Sequence, residues 1–196
     1  EVLVSMGAKI DGIGTDVLTI EGVDSLRPYE HRVVADRIEF GTFLVAGALC
    51  GENLTLVGGV PAHQASLLDK LVQVGAAIHR EPELDRITIS KAPTISPVNI
   101  TTAPYPGFPT DMQAQLMTLL TLAEGTSVLS ETIFENRFMH VLELQRMGAE
   151  VRLEGNTVVT KGRGRLTAAP LMATDLRASA SLVLAGLIAK NRTIIN

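Results

Sequence analysis

Met6-Gly7-Ala8-Lys9-Ile10 is written three times in this chain with small changes, again as Val74-Gly75-Ala76-Ala77-Ile78 and again as Met147-Gly148-Ala149-Glu150-Val151. Each copy follows an amphipathic run and precedes a turn and a second alternating segment, at Val17 to Ile20, Arg86 to Ser90 and Thr157 to Thr160. The glycine closes the helix, because the residue past the last turn takes a left-handed conformation that a Cβ disfavours. Apolar alternation on either side of a short turn then reads as a β-hairpin. The unit is therefore helix, glycine cap, strand, turn, strand. Its spacing of about 70 residues exceeds the ~20–50 residues of stacked solenoid repeats, so each copy belongs to a larger folded piece.

The intervening stretches repeat as well. Asp36 to Leu49, Asp111 to Leu122 and Asp175 to Ala189 are long apolar runs, each begun by an aspartate, and each is followed by a β-rich segment: Asn53 to Val57, Thr126 to Leu129 and Arg192 to Ile195. A second helix is expected over Ala62 to Leu71 and over Asn136 to Arg146, and a strand before each long helix, at His31 to Val34, Val98 to Thr101 and Leu166 to Leu171. The full unit is β-α-β-α-β-β, which predicts an α/β (α+β) architecture of small sheets backed by helices. Gly41-Thr42-Phe43-Leu44-Val45-Ala46-Gly47-Ala48-Leu49 is apolar on most faces. A helix of that kind is buried, so the helices are expected at the centre and the small sheets outside. Residues 1–28 read as the tail of a preceding domain, and residues 29–196 as a second domain with complete units at 29–96 and 97–165 and a truncated one from 166.

Composition narrows the function classes. Of 196 residues, 46% are apolar and 19% charged, which describes a globular chain with a sizeable core. The net charge of −4, with no basic run, argues against a nucleic-acid surface, and the lack of tryptophan argues against a base-stacking platform. The longest apolar stretch, around Ala178 to Ala189, is broken by serine and glycine, so no membrane partner is expected. The single cysteine, Cys50, ends an apolar run before Gly51 and reads as a small buried hydrophobe; one thiol suits a reducing, cytoplasmic setting. His31, His63, His79 and His140 never stand at paired ligand spacing, so neither a metal nor a cofactor is expected. Gly162-Arg163-Gly164 is read as a turn after a strand, not as a phosphate loop. The chain opens on what looks like a helix end and stops within a strand, as a fragment would.

The chemistry centres on Phe108-Pro109-Thr110-Asp111-Met112-Gln113-Ala114-Gln115. A lone carboxylate stands behind a proline-stiffened loop at the start of an apolar helix, with Thr110 or Asp111 as the natural N-cap. Together with Asp36-Arg37-Ile38-Glu39, Glu131 to His140 and Met172 to Ala180, in this order and spacing, the block resembles the enolpyruvyl transferases over essentially the whole chain. The resemblance implies two domains of three β-α-β-α-β-β units each. It implies transfer of the enolpyruvyl group of phosphoenolpyruvate to the 3-hydroxyl of UDP-N-acetylglucosamine, the first committed step of peptidoglycan synthesis, with phosphate as the other product. By it, Asp111 is the general base on the sugar hydroxyl, and Asp175 is a second carboxylate of the catalytic cycle. Ile133 contacts the nucleotide sugar through its backbone, and Arg137 and Arg177 face the anionic groups. It also places a lysine-asparagine pair and a reactive loop cysteine upstream of this chain and an arginine downstream. The missing domain is then a required partner, and the fragment alone is expected to be inactive.

Plainer readings compete at each position. Asp175 after Thr174 and Asp36 before Arg37 are good helix caps, Arg137 after a capping Asn136 suits a surface ion pair, and His140 suits packing. At the level of the chain, the alternatives are a shikimate-phosphate enolpyruvyl transferase, an RNA phosphate cyclase relative, or a non-catalytic binding module on the same scaffold.

Overall fold

The computed structural model describes residues 1–173 and 175–196; Thr174, a member of the fourth resemblance block, lies outside the described residues. The chain divides into two compact units, Glu1–Val34 and Ala35–Asn196.

The first unit holds a short helix α1 (Val2–Ser5) and a hairpin of β1 (Lys9–Asp11) and β2 (Thr19–Glu21), in which Ile10 faces Ile20. His31 to Val34 forms no strand, against the expectation from the repeat. Val33 and Val34 are 82% and 57% exposed, so their apolar faces gain no burial that would hold them in a ladder.

The second unit contains α2 (Arg37–Cys50), β3 (Leu54–Val57), α3 (Ala65–Gln73), β4 (Ala77–Glu81), β5 (Arg86–Ser90), β6 (Ile100–Thr101) and α4 (Gln113–Leu120). It continues through β7 (Thr126–Ser130), α5 (Met139–Arg146), β8 (Glu150–Glu154), β9 (Thr157–Lys161), β10 (Pro170–Leu171), α6 (Leu176–Ile188) and β11 (Ile194–Ile195). One sheet runs β3-β5-β4, all antiparallel; another runs β6-β7-β9-β8, with β6 parallel to β7; β10 and β11 pair in parallel. Helices α2, α4 and α6 pack on one another at the centre, and all eight residues of α4 are buried. The sheets lie outside: along β5 the inward Ile87 and Ile89 are fully buried, and along β8 Val151 is the one buried residue, at 6% exposure. This is the expected α/β arrangement.

The repeated glycine does what the sequence asked of it. Gly7, Gly75 and Gly148 have φ of +102°, +99° and +85°. The next residue in each copy donates its N–H five residues back, from Ala8 to Leu3 (2.8 Å), Ala76 to Leu71 (3.0 Å) and Ala149 to Leu144 (3.0 Å). That bond closes a helix end on a left-handed residue. The carbonyl before each glycine, on Met6, Val74 and Met147, then accepts from the N–H of Arg27, Ser96 and Thr167. The three copies share their hydrogen bonds as well as their letters.

Three local expectations fail. Helix α5 begins at Met139 with Phe138 at its N-cap, so Asn136 caps nothing. Neither Thr110 nor Asp111 caps α4; the two lie in a 3₁₀ turn, Thr110–Met112, and their side chains are used elsewhere. Cys50 is exposed, because the last residue of α2 falls on the solvent side after Leu49 has filled the core.

Candidate functional site

Pro109 is extended (φ −72°, ψ 132°) and delivers the chain into the 3₁₀ turn, which closes with the Met112 N–H on the Pro109 carbonyl at 3.0 Å. Met112 is fully buried and pins the turn to the core, so Asp111, one residue earlier, sits part-buried at the rim. Its Oδ1 accepts from Arg137 Nη2 at 2.5 Å and lies 3.6 Å from Arg177 Nε. Arg137 comes from the loop between β7 and α5, and Arg177 from the first turn of α6. Three separate elements therefore meet at one carboxylate oxygen.

Arg137 is itself held on several sides. Its Nη1 donates to Thr110 Oγ1 at 3.0 Å, its guanidinium lies 4.9 Å above the ring of Phe134, and its carbonyl accepts from Gln113 Nε2 at 2.8 Å. Asp175 is the N-cap of α6, its Oδ1 accepting from the N–H groups of Arg177 (2.8 Å) and Ala178 (3.0 Å). Arg137, Asp175 and Arg177 line one narrow crevice, too tight to hold a water molecule, together with Thr110, Gln113 and His140. Ile133 stands beside this group with its side chain outward, and its N–H donates to Glu131 Oε1 at 2.8 Å. That leaves its carbonyl as the backbone atom on offer.

Two buried groups stand here, Glu131, which had no assigned role in the sequence, and His140, which was read as packing. Glu131 is 2% exposed, yet its carboxylate accepts from Thr102 Oγ1 (2.7 Å), Thr110 Oγ1 (2.7 Å) and the N–H groups of Ile133 and Phe134. Burial pushes its pKa up, but the four hydrogen bonds outweigh it and hold the carboxyl below the usual range. His140 is 1% exposed; burial drives its pKa down to about 4, the Asp175 charge opposes this, and Arg137 adds to it. The imidazole is therefore neutral near pH 7. His140 Nε2 and Gln113 Oε1 are both buried without a hydrogen-bond partner. The sequence signal for Glu131 was its place directly after a strand and within the resemblance block, which says nothing about burial.

Asp36 and Glu39 border a larger groove, about 320 Å³, between the first turn of α2 and β3. Asp36 is spent on capping, accepting from the N–H groups of Ile38 (2.7 Å) and Glu39 (3.3 Å), and no cation converges there as Arg137 and Arg177 do on Asp111.

Comparison with known proteins bears on the family and the fold. The family model described as EPSP synthase (3-phosphoshikimate 1-carboxyvinyltransferase) matches residues 1–196. The chain is 56% identical over 193 residues to the UDP-N-acetylglucosamine 1-carboxyvinyltransferase of Anaeromyxobacter sp. (strain K), covering 98% of this chain and 45% of that protein. It is 54% identical to the Myxococcus xanthus protein of the same name, over 100% of this chain and 46% of the relative. Among solved structures, the enolpyruvyl transferase NikO from Streptomyces tendae superposes with a TM-score of 0.89 at 29% identity, over all of this chain and 47% of that one. An EPSP synthase from Acinetobacter baumannii, at 19% identity and a TM-score of 0.64, shares the fold. The chain thus spans less than half the length of the curated relatives it matches.

Proposed function

Because the chain belongs to the EPSP synthase family of enolpyruvyl transferases, we propose that the protein in its full length transfers the enolpyruvyl group of phosphoenolpyruvate to the 3-hydroxyl of UDP-N-acetylglucosamine. The identity of 52–56% to relatives named for that reaction favours it over shikimate phosphate as acceptor. The sugar oxygen adds to C2 of phosphoenolpyruvate while C3 gains a proton. Loss of a C3 proton and departure of phosphate from C2 then restore the double bond.

Asp111 takes the hydroxyl proton in the first step. The observation that supports this is that both arginine contacts fall on Oδ1, and the side chain is not consumed by a helix cap. Oδ2 is then the oxygen that meets the sugar, within the reach a general base requires. Arg137 and Arg177 bear on the phosphate and carboxylate of phosphoenolpyruvate or on the diphosphate, where planar guanidinium donors suit paired oxygens. Asp175 serves the same cycle through Oδ2, its Oδ1 being engaged by α6. The Ile133 backbone contacts the nucleotide sugar.

The remaining half of the protein supplies the opposite wall, with residues 1–28 as the tail of that other domain. The reaction is a cytoplasmic step of peptidoglycan precursor synthesis, and so serves cell-wall growth, cell shape and division. No helix of the described residues is long and apolar enough to cross a membrane.

The test is phosphate release from phosphoenolpyruvate by the full-length protein. UDP-N-acetylglucosamine is expected to drive it saturably, and Asp111→Asn to lower kcat by about 100- to 10,000-fold. Faster turnover with shikimate 3-phosphate, or an Asp111→Asn variant of normal rate, overturns the reading.

A further inference from the structure

We infer that Glu131 is a positioning residue for the reaction, setting the proton direction along a chain of hydrogen bonds that ends on Asp111. The inference rests on the function proposed above and adds to it a group that never meets the substrate.

The argument starts from donor counting. Four donors converge on the Glu131 carboxylate: Thr102 Oγ1, Ile133 N and Phe134 N on Oε1, and Thr110 Oγ1 on Oε2. Two of these are backbone N–H groups, which cannot reverse. The Thr110 hydroxyl has one hydrogen, and at 2.7 Å it goes to Oε2. What Thr110 presents on its other side is a lone pair, and Arg137 Nη1 donates to it at 3.0 Å. With Nη1 fixed there, the rigid guanidinium fork sends Nη2 to Asp111 Oδ1. The sequence is Glu131, Thr110, Arg137, Asp111, each step a donor meeting an acceptor.

The same carboxylate holds the opposite side of the site, because its bonds to Ile133 and Phe134 shape the loop that carries Arg137 and the Phe134 ring beneath its guanidinium. Glu131 is anchored in turn through its own main chain, its N–H donating to the Asn156 carbonyl at 2.8 Å and its carbonyl accepting from Asn156 Nδ2 at 3.0 Å. A glutamine at this position has one acceptor oxygen. Aimed at the two N–H groups, it turns its amide toward Thr110, and the hydroxyl must release its hydrogen bond there. Thr110→Val breaks the same link and spares the other three.

The experiment measures kcat and KM for both substrates in the full-length protein carrying Glu131→Gln, Thr110→Val and the pair, with Asp111→Asn beside them. Each single variant is expected to lower kcat about 10- to 100-fold, as small misplacements of a reacting group do, with KM within about threefold. The double variant should be no slower than the worse single one, since both cut one chain. Multiplying effects, or a Thr110→Val enzyme within twofold of the parent, overturn the inference. If Glu131→Gln does not fold, Thr110→Val alone decides on that criterion. A normal rate in Asp111→Asn instead refutes the underlying reading.

Discussion

His140 sits in the first turn of α5 with a protonation state set by its surroundings. Unfolded, a histidine titrates near 6.5; folded, this one holds out to about 4 because burial penalises the imidazolium. The unfolded chain therefore binds a proton that the native one refuses, and stability rises with pH between those two values. Lowering the pH from 7 to 4 should cost the fold about 3 kcal/mol from this residue, with little further loss from it below. Glu131 works in the adjoining window: its pKa is held below 4.5, so its contribution is whole above that value and is lost as pH falls further. Urea unfolding of the protein from pH 7 to 3 checks this, with His140→Gln expected to flatten the upper part of the slope alone. An unchanged slope between pH 6.5 and 4 would contradict the buried, neutral imidazole. Residues of this kind explain what sequence could and could not reveal. Asp111 could be singled out as a candidate because a proline and a helix start isolate it. Glu131 was not, since its partners Thr102 and Thr110 lie 29 and 21 positions away and only the fold brings them in.

At the scale of elements, period and punctuation carried most of the reading. Aspartate before an apolar run marked the start of α2 and α6, where Asp36 and Asp175 do cap. The same signal misled at α4, because Arg137 competes for Asp111 and a 3₁₀ turn moves the cap on to Met112. His31 to Val34 shows the complementary failure: a place in the repeat predicts a strand only where some neighbour buries one face. Close packing of helix on sheet was unreadable in advance, and Gly47 is the clearest case. A Cβ built there collides with Ile89 of β5, a side chain that is itself fully buried. Gly47→Ala should gain a little helix propensity, under about 1 kcal/mol, and lose more to overpacking, typically about 1–3 kcal/mol. A net fall in thermal midpoint is expected in a calorimetric scan, and a rise would show that α2 can slide away from β5. Ile89→Ala removes the Cγ2 methyl that the new Cβ meets, so the double variant should lose less than the two single losses summed, because the two sites are in contact and their effects are not additive.

For the whole molecule, the repeat made the architecture legible. Three copies of one glycine-capped unit predicted buried helices within outer sheets, and α4, enclosed along its full length, is the centre they imply. What a repeat cannot encode is the far wall of a cleft, and the relatives named above are more than twice as long as this chain. Positioning two substrates accounts for a large share of catalysis, of order 7–11 kcal/mol in well-oriented cases. One wall bearing Asp111, Arg137, Arg177 and Ile133 should retain part of the binding and none of that alignment. The isolated 196-residue chain is therefore expected to respond to UDP-N-acetylglucosamine at millimolar concentration in a chemical-shift titration, with Arg137→Ala weakening the response. It should release no phosphate from phosphoenolpyruvate above the buffer rate. Turnover by this chain alone would mean that the alignment is complete within it, and the second wall would then have no catalytic part to play.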